Sequence, residues 1–172
     1  MAIKLAELGV AEVVTLLKAD LAGKLTAIDA ARTGDTLVLA APADANYYDY
    51  PNPMIAGPAA HVEVFESDIT FVNAYSDVAV PRAVYEIDLT VRLTYFNRDS
   101  DTPAEMAARG RRYAVGIFQV FSSKPTLGGV DDAIQVAITS LVSPQLVTDG
   151  EDSGSIEKGL VTVTLNLRCE EN

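Results

Sequence analysis

A run of apolar–polar alternation at residues 82–96, "RAVYEIDLTVRLTYF", constrains the fold more than any other stretch of the chain. Every second residue from Ala83 to Tyr95 is apolar or aromatic, and charged residues and threonines stand between most of them. Because successive side chains of a strand point to opposite faces, the pattern predicts a long strand with one buried face. Such a strand needs neighbouring strands and a second layer over its apolar side.

A helix start follows this strand, within "NRDSDTPAEMAARGRRYAVGIFQVF" at residues 97–121. The polar beginning resembles a calcium loop, but counting from Asn97 puts a threonine where the loop needs glycine and an alanine where it needs a chelating glutamate. Thr102, Pro103 and Glu105 instead have the spacing of a capping box with proline at the first helical position. We therefore predict a helix from Thr102 to about Ser122 and no metal site.

Weaker patterns supply the remaining elements. Helical spacing of leucines predicts a helix over residues 5–32, and short alternating runs predict strands at 35–41, 61–68, 133–139 and 160–169. Strands joined by loops, with helices on one face, predict an α+β two-layer sandwich: a mostly antiparallel sheet with two long helices packed on it. We expect one domain over 1–172, a Pro/Tyr-rich loop or arm at about 42–60 and an acidic loop at about 143–159.

Composition excludes several classes of protein. The 172 residues carry a net charge of −11, which disfavours a protein that wraps nucleic acid. No apolar run approaches 20 residues, so we expect no transmembrane helix and no membrane partner. The single cysteine excludes an intramolecular disulfide.

Candidates for catalysis are weak. His61, Asp88 and Ser153 occur in the chain order of trypsin-like proteases, but the glycine expected before Asp152 is Glu151, and a triad is defined by geometry rather than order. One histidine leaves too few ligands for most zinc sites, and no phosphate-binding glycine motif is present. We predict no catalytic, cofactor-binding or metal residues, no cofactor and no enzyme activity.

Other features predict contacts between subunits. The arginines of the second helix are either solvent-facing charge or partners for an acidic neighbouring subunit. Two apolar residues of that helix lie off its core-facing side, and the tyrosines of the arm are suited to anchor a partner surface. We expect the arm to be loosely held until it meets a neighbour. The predicted interface residues are Tyr47, Tyr48, Tyr50, Arg109, Arg112, Val115 and Phe118.

The order of these elements resembles the tail terminator and neck (head–tail joining) proteins of tailed bacteriophages. The resemblance is carried by the early amphipathic helix ("VAEVVTLLKADLAGKLTAI"), the Pro/Tyr segment, the long strand with its capped helix bearing Arg112–Tyr113, and the closing strand "GLVTVTLNLRC". It implies a tail-terminator-like fold and a homo-oligomeric ring, a hexamer, that caps the tail tube and joins it to the head connector. The implied partners are the tail tube protein and the head–tail connector proteins, and the implied location is the virion tail or neck, assembled in the host cytoplasm.

A ring of this kind must let DNA pass without binding it specifically. A negative channel would repel phosphates, so Asp149, Glu151 and Asp152 are the predicted channel-facing residues; a solvated hairpin tip is the other reading of this loop. A head-completion or connector adaptor protein is an alternative within the same class. From another class, the chain is a cytoplasmic binding module or small enzyme that uses residues 44–58 as a lid.

Overall fold

The computed structural model describes residues 2–32, 34–52, 58–75, 82–98, 101–127, 134–148 and 156–171. Its helices are α1 (Ala2–Ala30) and α2 (Pro103–Ser122), with a short 3-10 turn at Asp44–Asn46. Its strands are β1 (Tyr47–Tyr48), β2 (His61–Tyr75), β3 (Arg82–Phe96), β4 (Ile134–Thr148) and β5 (Ile156–Glu171). The predicted α+β class is confirmed.

The strands form one mixed sheet in the order β1-β2-β3-β5-β4. Three ladders are antiparallel, and β1 alone pairs in parallel, through two residues, with the start of β2. The long alternating strand lies between β2 and β5, as its buried face requires. The sheet is therefore largely antiparallel, as predicted, but its short first strand makes it mixed.

One apolar core joins the two helices to one face of the sheet. Alternate residues of β3 and β5 lie under the helices and are fully buried, including Leu89 and Val163. Four leucines of α1, from Leu16 to Leu25, and the predicted face of α2, including Tyr113 and Ile117, belong to the same cluster. This confirms the prediction that the alternating strand and the second helix share the core.

The start of α2 has the predicted cap. The hydroxyl of Thr102 accepts a hydrogen bond from the Glu105 amide at 3.3 Å, and the Glu105 carboxylate accepts one from the Thr102 amide at 2.7 Å. These two bonds satisfy amide groups that a helix start leaves without partners. The bond from the Thr102 amide, and a further one that the Thr102 hydroxyl donates to the same carboxylate at 2.8 Å, lower the pKa of the Glu105 carboxyl.

Tyr95 explains two glycines near this end of the sheet. Its ring is buried, its hydroxyl donates to the Met106 carbonyl at 2.8 Å, and burial raises its pKa to about 12. A Cβ at Gly110 of α2 would collide with the Tyr95 hydroxyl, and a Cβ at Gly159 of β5 would collide with the Tyr95 ring. The helix therefore tolerates Gly110 because a side chain, rather than another backbone, passes close to it.

Several predicted boundaries need correction. Residues 35–41 have no regular secondary structure, so the predicted strand there is wrong. β2 continues past residue 68 to Tyr75, and β4 continues past residue 139 to Thr148. Because β5 begins at Ile156, the acidic connection predicted at 143–159 is shorter than expected at both ends.

Candidate functional site

Arg112 and Tyr113 hold the connection that follows α1. The Arg112 guanidinium donates to the Leu37 carbonyl at 3.2 Å and forms a close ion pair with Asp35. The Tyr113 hydroxyl donates to the Ala40 carbonyl at 2.9 Å. Neighbouring residues of α2 thus fix an extended segment that has no sheet partner of its own. The Leu37 amide and then Arg112 lower the pKa of the Asp35 carboxyl, which keeps the pair ionised.

Arg109 is buried in the same way at the other side of the helix start. Its guanidinium lies 2.7 Å from the Asp101 carboxylate and donates to the Phe96 carbonyl at 3.3 Å. It therefore ties the loop before α2 to the end of β3. The side chains of Arg109 and Arg112 are each only 4% exposed. Their expected position at the surface or against a neighbouring subunit is wrong, because carboxylates of the same chain occupy them.

The tyrosine segment is docked on its own subunit as far as Asn52. Tyr47 belongs to the core cluster and burial raises its pKa to about 12. Tyr48 has its ring centroid 5.9 Å from that of Tyr50 and 6.4 Å from that of His61. The Asn52 amide donates to a Glu63 carboxylate oxygen at 2.6 Å. The expectation of a loosely held arm is therefore wrong for residues 44–52, and Tyr47 is a core residue.

Glu63 is the charged centre of this docking. Its carboxylate is buried and accepts from Arg92 at 2.6 Å, while the Arg92 guanidinium lies 5.3 Å from the Phe65 ring centroid. Of the three predicted tyrosines, only Tyr50 is largely exposed, at 51%. Of the predicted tyrosines, Tyr50 is thus the one available to a partner, and residues 53–57 lie outside the described part of the chain.

Val115 and Phe118 are exposed on α2, as predicted, at 39% and 46%. Two further apolar residues, Leu141 and Val142 on β4, are also exposed. Val115, Leu141 and Val142 line a groove of about 270 Å³ between α2 and β4, with Arg111 among its walls. We call Arg111, Val115, Phe118 and Leu141 the α2–β4 patch.

The sequence does not predict the position of Leu141, because the strand predicted at 133–139 ends before it. Leu141 faces Val163 across the β4–β5 ladder, on the helix side of the sheet, yet remains half exposed. The signal was present as a return of apolar residues at 141–142 after two polar positions. A bulge between Ile138 and Ser140 shifts the alternation at that point, so the apolar residues at 141–142 do not continue the pattern of 133–139.

A second concavity, of about 310 Å³, lies under the arm. Residues 40–43, 46 and 58–60 form one wall, and Tyr95, Arg98, Arg109 and Tyr113 are among the residues of the other. The Asn46 side-chain amide donates to the Ala60 carbonyl at 3.2 Å and joins the two sides of the arm. This volume is near the lower end of the range for small-molecule pockets.

Among the described residues, the candidates for a metal site or a catalytic triad do not come together. They contain no group of three or more His, Cys, Asp or Glu side chains placed to hold a metal ion. His61 faces Thr94 in the β2–β3 ladder, whereas Asp88 pairs with Asp68 farther along it and accepts from Asn166 at 2.8 Å. Ser153 lies outside the described ranges, as do the predicted channel residues Asp149, Glu151 and Asp152.

Within the described ranges, neither helix combines the length and the hydrophobicity needed to cross a bilayer. No protein-family model matches this chain, and no curated protein has significant sequence similarity to it.

Proposed function

We propose that this chain is the structural subunit of a ring at the neck or tail end of a phage-like particle, with tail terminator as the leading assignment. The observation that carries the proposal is the α2–β4 patch, where apolar side chains remain exposed although the helix already buries a full face in the core. Exposed apolar residues that cluster around a groove are typical of protein contact sites. A ring subunit needs such a surface for its neighbours.

Other properties support this reading. The order of helix, arm, long strand and capped helix is that of the resemblance, and the net charge of −11 suits a channel that DNA traverses without adhering. The proposed partners are other copies of this chain, as a hexamer, together with a tail tube protein and head–tail connector proteins. The proposed location is the virion, and a head-completion or connector adaptor role requires the same ring. We assign the chain no catalytic, cofactor-binding or metal-binding residue.

Electron microscopy of the purified full chain, with its mass in solution measured by light scattering, tests the proposal. Closed rings of uniform size, with a mass several times 18.3 kDa, are the expected result. A chain that stays monomeric up to high concentration, alone and with tail tube protein, would overturn it.

The acidic loop gives the ring a second test. Exchanging Asp149, Glu151 and Asp152 for lysine should leave ring formation intact and slow the passage of DNA, because lysines would attract phosphates that the carboxylates repel. If particles carrying this variant delivered DNA at an unchanged rate, these residues would not face the channel.

A small-molecule binding module is the second candidate, and the concavity under the arm favours it. Its walls include the exposed Arg98 and no carboxylate residue, so it suits a small anionic ligand, although Arg109 in the same wall is already paired with Asp101. An anionic metabolite that raises the melting temperature of the wild type but not of Arg98→Ala would support this function over the ring.

A further inference from the structure

We propose that copies of this chain associate head to tail, with the α2–β4 patch of one copy against the acidic middle of β2 in the next. The acidic middle of β2 is defined here as Glu66, Asp68 and Ile69. The inference rests on the proposed function in requiring self-assembly, and it goes further by naming the two surfaces that meet.

The α2–β4 patch combines apolar area with positive charge. Val115 and Phe118 are one helical turn apart on α2, and Leu141 stands across the groove from Val115, half exposed. Arg111 is exposed at the groove and forms no ion pair with any residue in the described ranges. The other two arginines of this helix segment are neutralised inside the chain, so Arg111 supplies the charge of the patch.

The acidic middle of β2 combines apolar area with negative charge. Ile69 is 42% exposed although it faces Ile87 on the helix side of the sheet. Glu66 faces Leu89 on the same side, whereas the bulge after Glu66 places Asp68 opposite Asp88, on the other face of the sheet. Glu66 and Asp68 are both exposed, and neither forms a salt bridge among the described residues. An exposed isoleucine beside an exposed glutamate on the same face of the sheet matches a patch of exposed apolar residues beside an arginine.

Their positions in the sheet make the contact directional. Residues 66–69 of β2 lie past the two rungs that β1 covers, so among the described strands this part of β2 is one edge of the sheet. β4 is the opposite edge. A contact between opposite edges uses different surfaces on the two copies, and repeating it yields a closed ring or an open filament rather than a two-fold dimer.

The overall charge favours a second copy as the occupant of the patch. Every copy carries a net charge of −11, so random contacts between copies are repulsive, and association needs a place where opposite charges meet. Arg111 against Glu66 provides that place, while the apolar residues beside them supply area that is insensitive to charge. The same net charge repels nucleic acid from the patch.

Charge exchange in the full chain, followed by sedimentation velocity across a concentration series, tests the contact. Arg111→Glu and Glu66→Arg should each weaken association by about tenfold or more, because each places like charges together at the contact. The double variant Arg111→Glu with Glu66→Arg restores opposite charges and should associate within about threefold of the wild type. Arg98→Glu changes an exposed arginine outside both surfaces. Its association should equal that of the wild type after allowance for the difference in net charge between the two chains.

The outcomes separate this contact from the proposed function. A wild type that forms rings which neither single variant weakens overturns the contact and leaves the ring standing. Weakening by Arg111→Glu without an effect of Glu66→Arg, or failure of the double variant to recover while circular dichroism shows native structure, assigns the patch to a different acidic occupant and also overturns it. A monomeric wild type overturns the ring and the contact together.

Discussion

At the scale of single residues, the most informative side chains are the two arginines of α2 that are buried rather than exposed. Arg109 and Arg112 are buried because Asp101, Asp35 and nearby carbonyl groups accept their hydrogen bonds. Burying a guanidinium without such partners would cost several kcal/mol, on the order of its desolvation. The two residues therefore contribute to folding of the connection and helix start, and only Arg111 of the trio remains for a partner.

The core prediction concerns Leu89, which is fully buried on β3. Leu89→Ala should lower the free energy of unfolding by about 2–5 kcal/mol, because it removes buried methyl groups and leaves a cavity. Val38→Ala, at a residue that is 59% exposed, is the matched control and should change it by about 0.5 kcal/mol or less. Urea unfolding of both variants measures the difference, and equal losses would contradict the assigned register of β3.

His61 gives the pH prediction. Burial lowers the pKa of its imidazole from the usual 6.5, against smaller opposing effects of the Ala59 carbonyl and Glu63. The unfolded chain therefore binds the proton more readily, so stability falls as the pH drops below about 6.5 toward the lower folded pKa. Since His61 is the single histidine, His61→Gln should flatten the change in melting temperature between about pH 7.5 and 5.5. An unchanged slope would show that other groups titrate in this window.

At the scale of elements, the sequence predicts best where its period is uninterrupted. The alternation of β3 and the capping box of α2 each predicted an element whose bounds the structure confirms. β2 and β4 were predicted too short, and each has a bulge near the point where its prediction ended, between Glu66 and Asp68 and between Ile138 and Ser140. A bulge shifts the period of two, so the pattern on its far side no longer continues the one before it.

The site was predictable only in part, for a related reason. Helical spacing correctly placed Val115 and Phe118 off the core face. It could not predict that Arg109 and Arg112 are buried. Their partners Asp101 and Asp35 lie in connecting segments, and the path of such a segment cannot be predicted from periodicity. The position of the tyrosines could not be predicted for the same reason. A proline-rich composition predicts a loop but does not show that Tyr47 pairs beside β2 and enters the core.

The docked arm gives a prediction at this scale. Tyr47→Ala should destabilise the subunit by about 3–5 kcal/mol, as expected for a buried aromatic residue. Tyr50→Ala, three residues away and 51% exposed, should change stability by about 0.5 kcal/mol or less. Thermal unfolding of the two variants compares them directly. Equally small changes in stability for both variants would show that the whole segment is loosely held.

At the scale of the whole molecule, charge and apolar surface are distributed unevenly. The chain carries 24 acidic residues against 13 lysines and arginines, yet an exposed arginine stands beside the main group of exposed apolar residues on α2 and β4. A uniformly acidic surface would keep copies apart in every orientation. An exposed arginine beside this apolar group favours one orientation of approach over the rest.

Salt should therefore affect assembly in two opposite ways. Repulsion between copies of net charge −11 acts over long distances, and raising sodium chloride from about 10 to 150 mM shortens the screening length from roughly 30 to 8 Å. Attraction between Arg111 and the carboxylates of β2 acts at contact distance, where screening becomes strong only near 1 M, at a length of about 3 Å. Association of the wild type should first strengthen with salt and then weaken toward 1 M.

Sedimentation velocity at one protein concentration across this salt series measures the effect. Arg111→Glu serves as the comparison, because without the attractive pair its association should rise with salt throughout and show no maximum. A wild type whose association falls steadily from the lowest salt would mean that attraction dominates at all distances. The net charge would then not be what orients the copies, and the directional contact would need another origin.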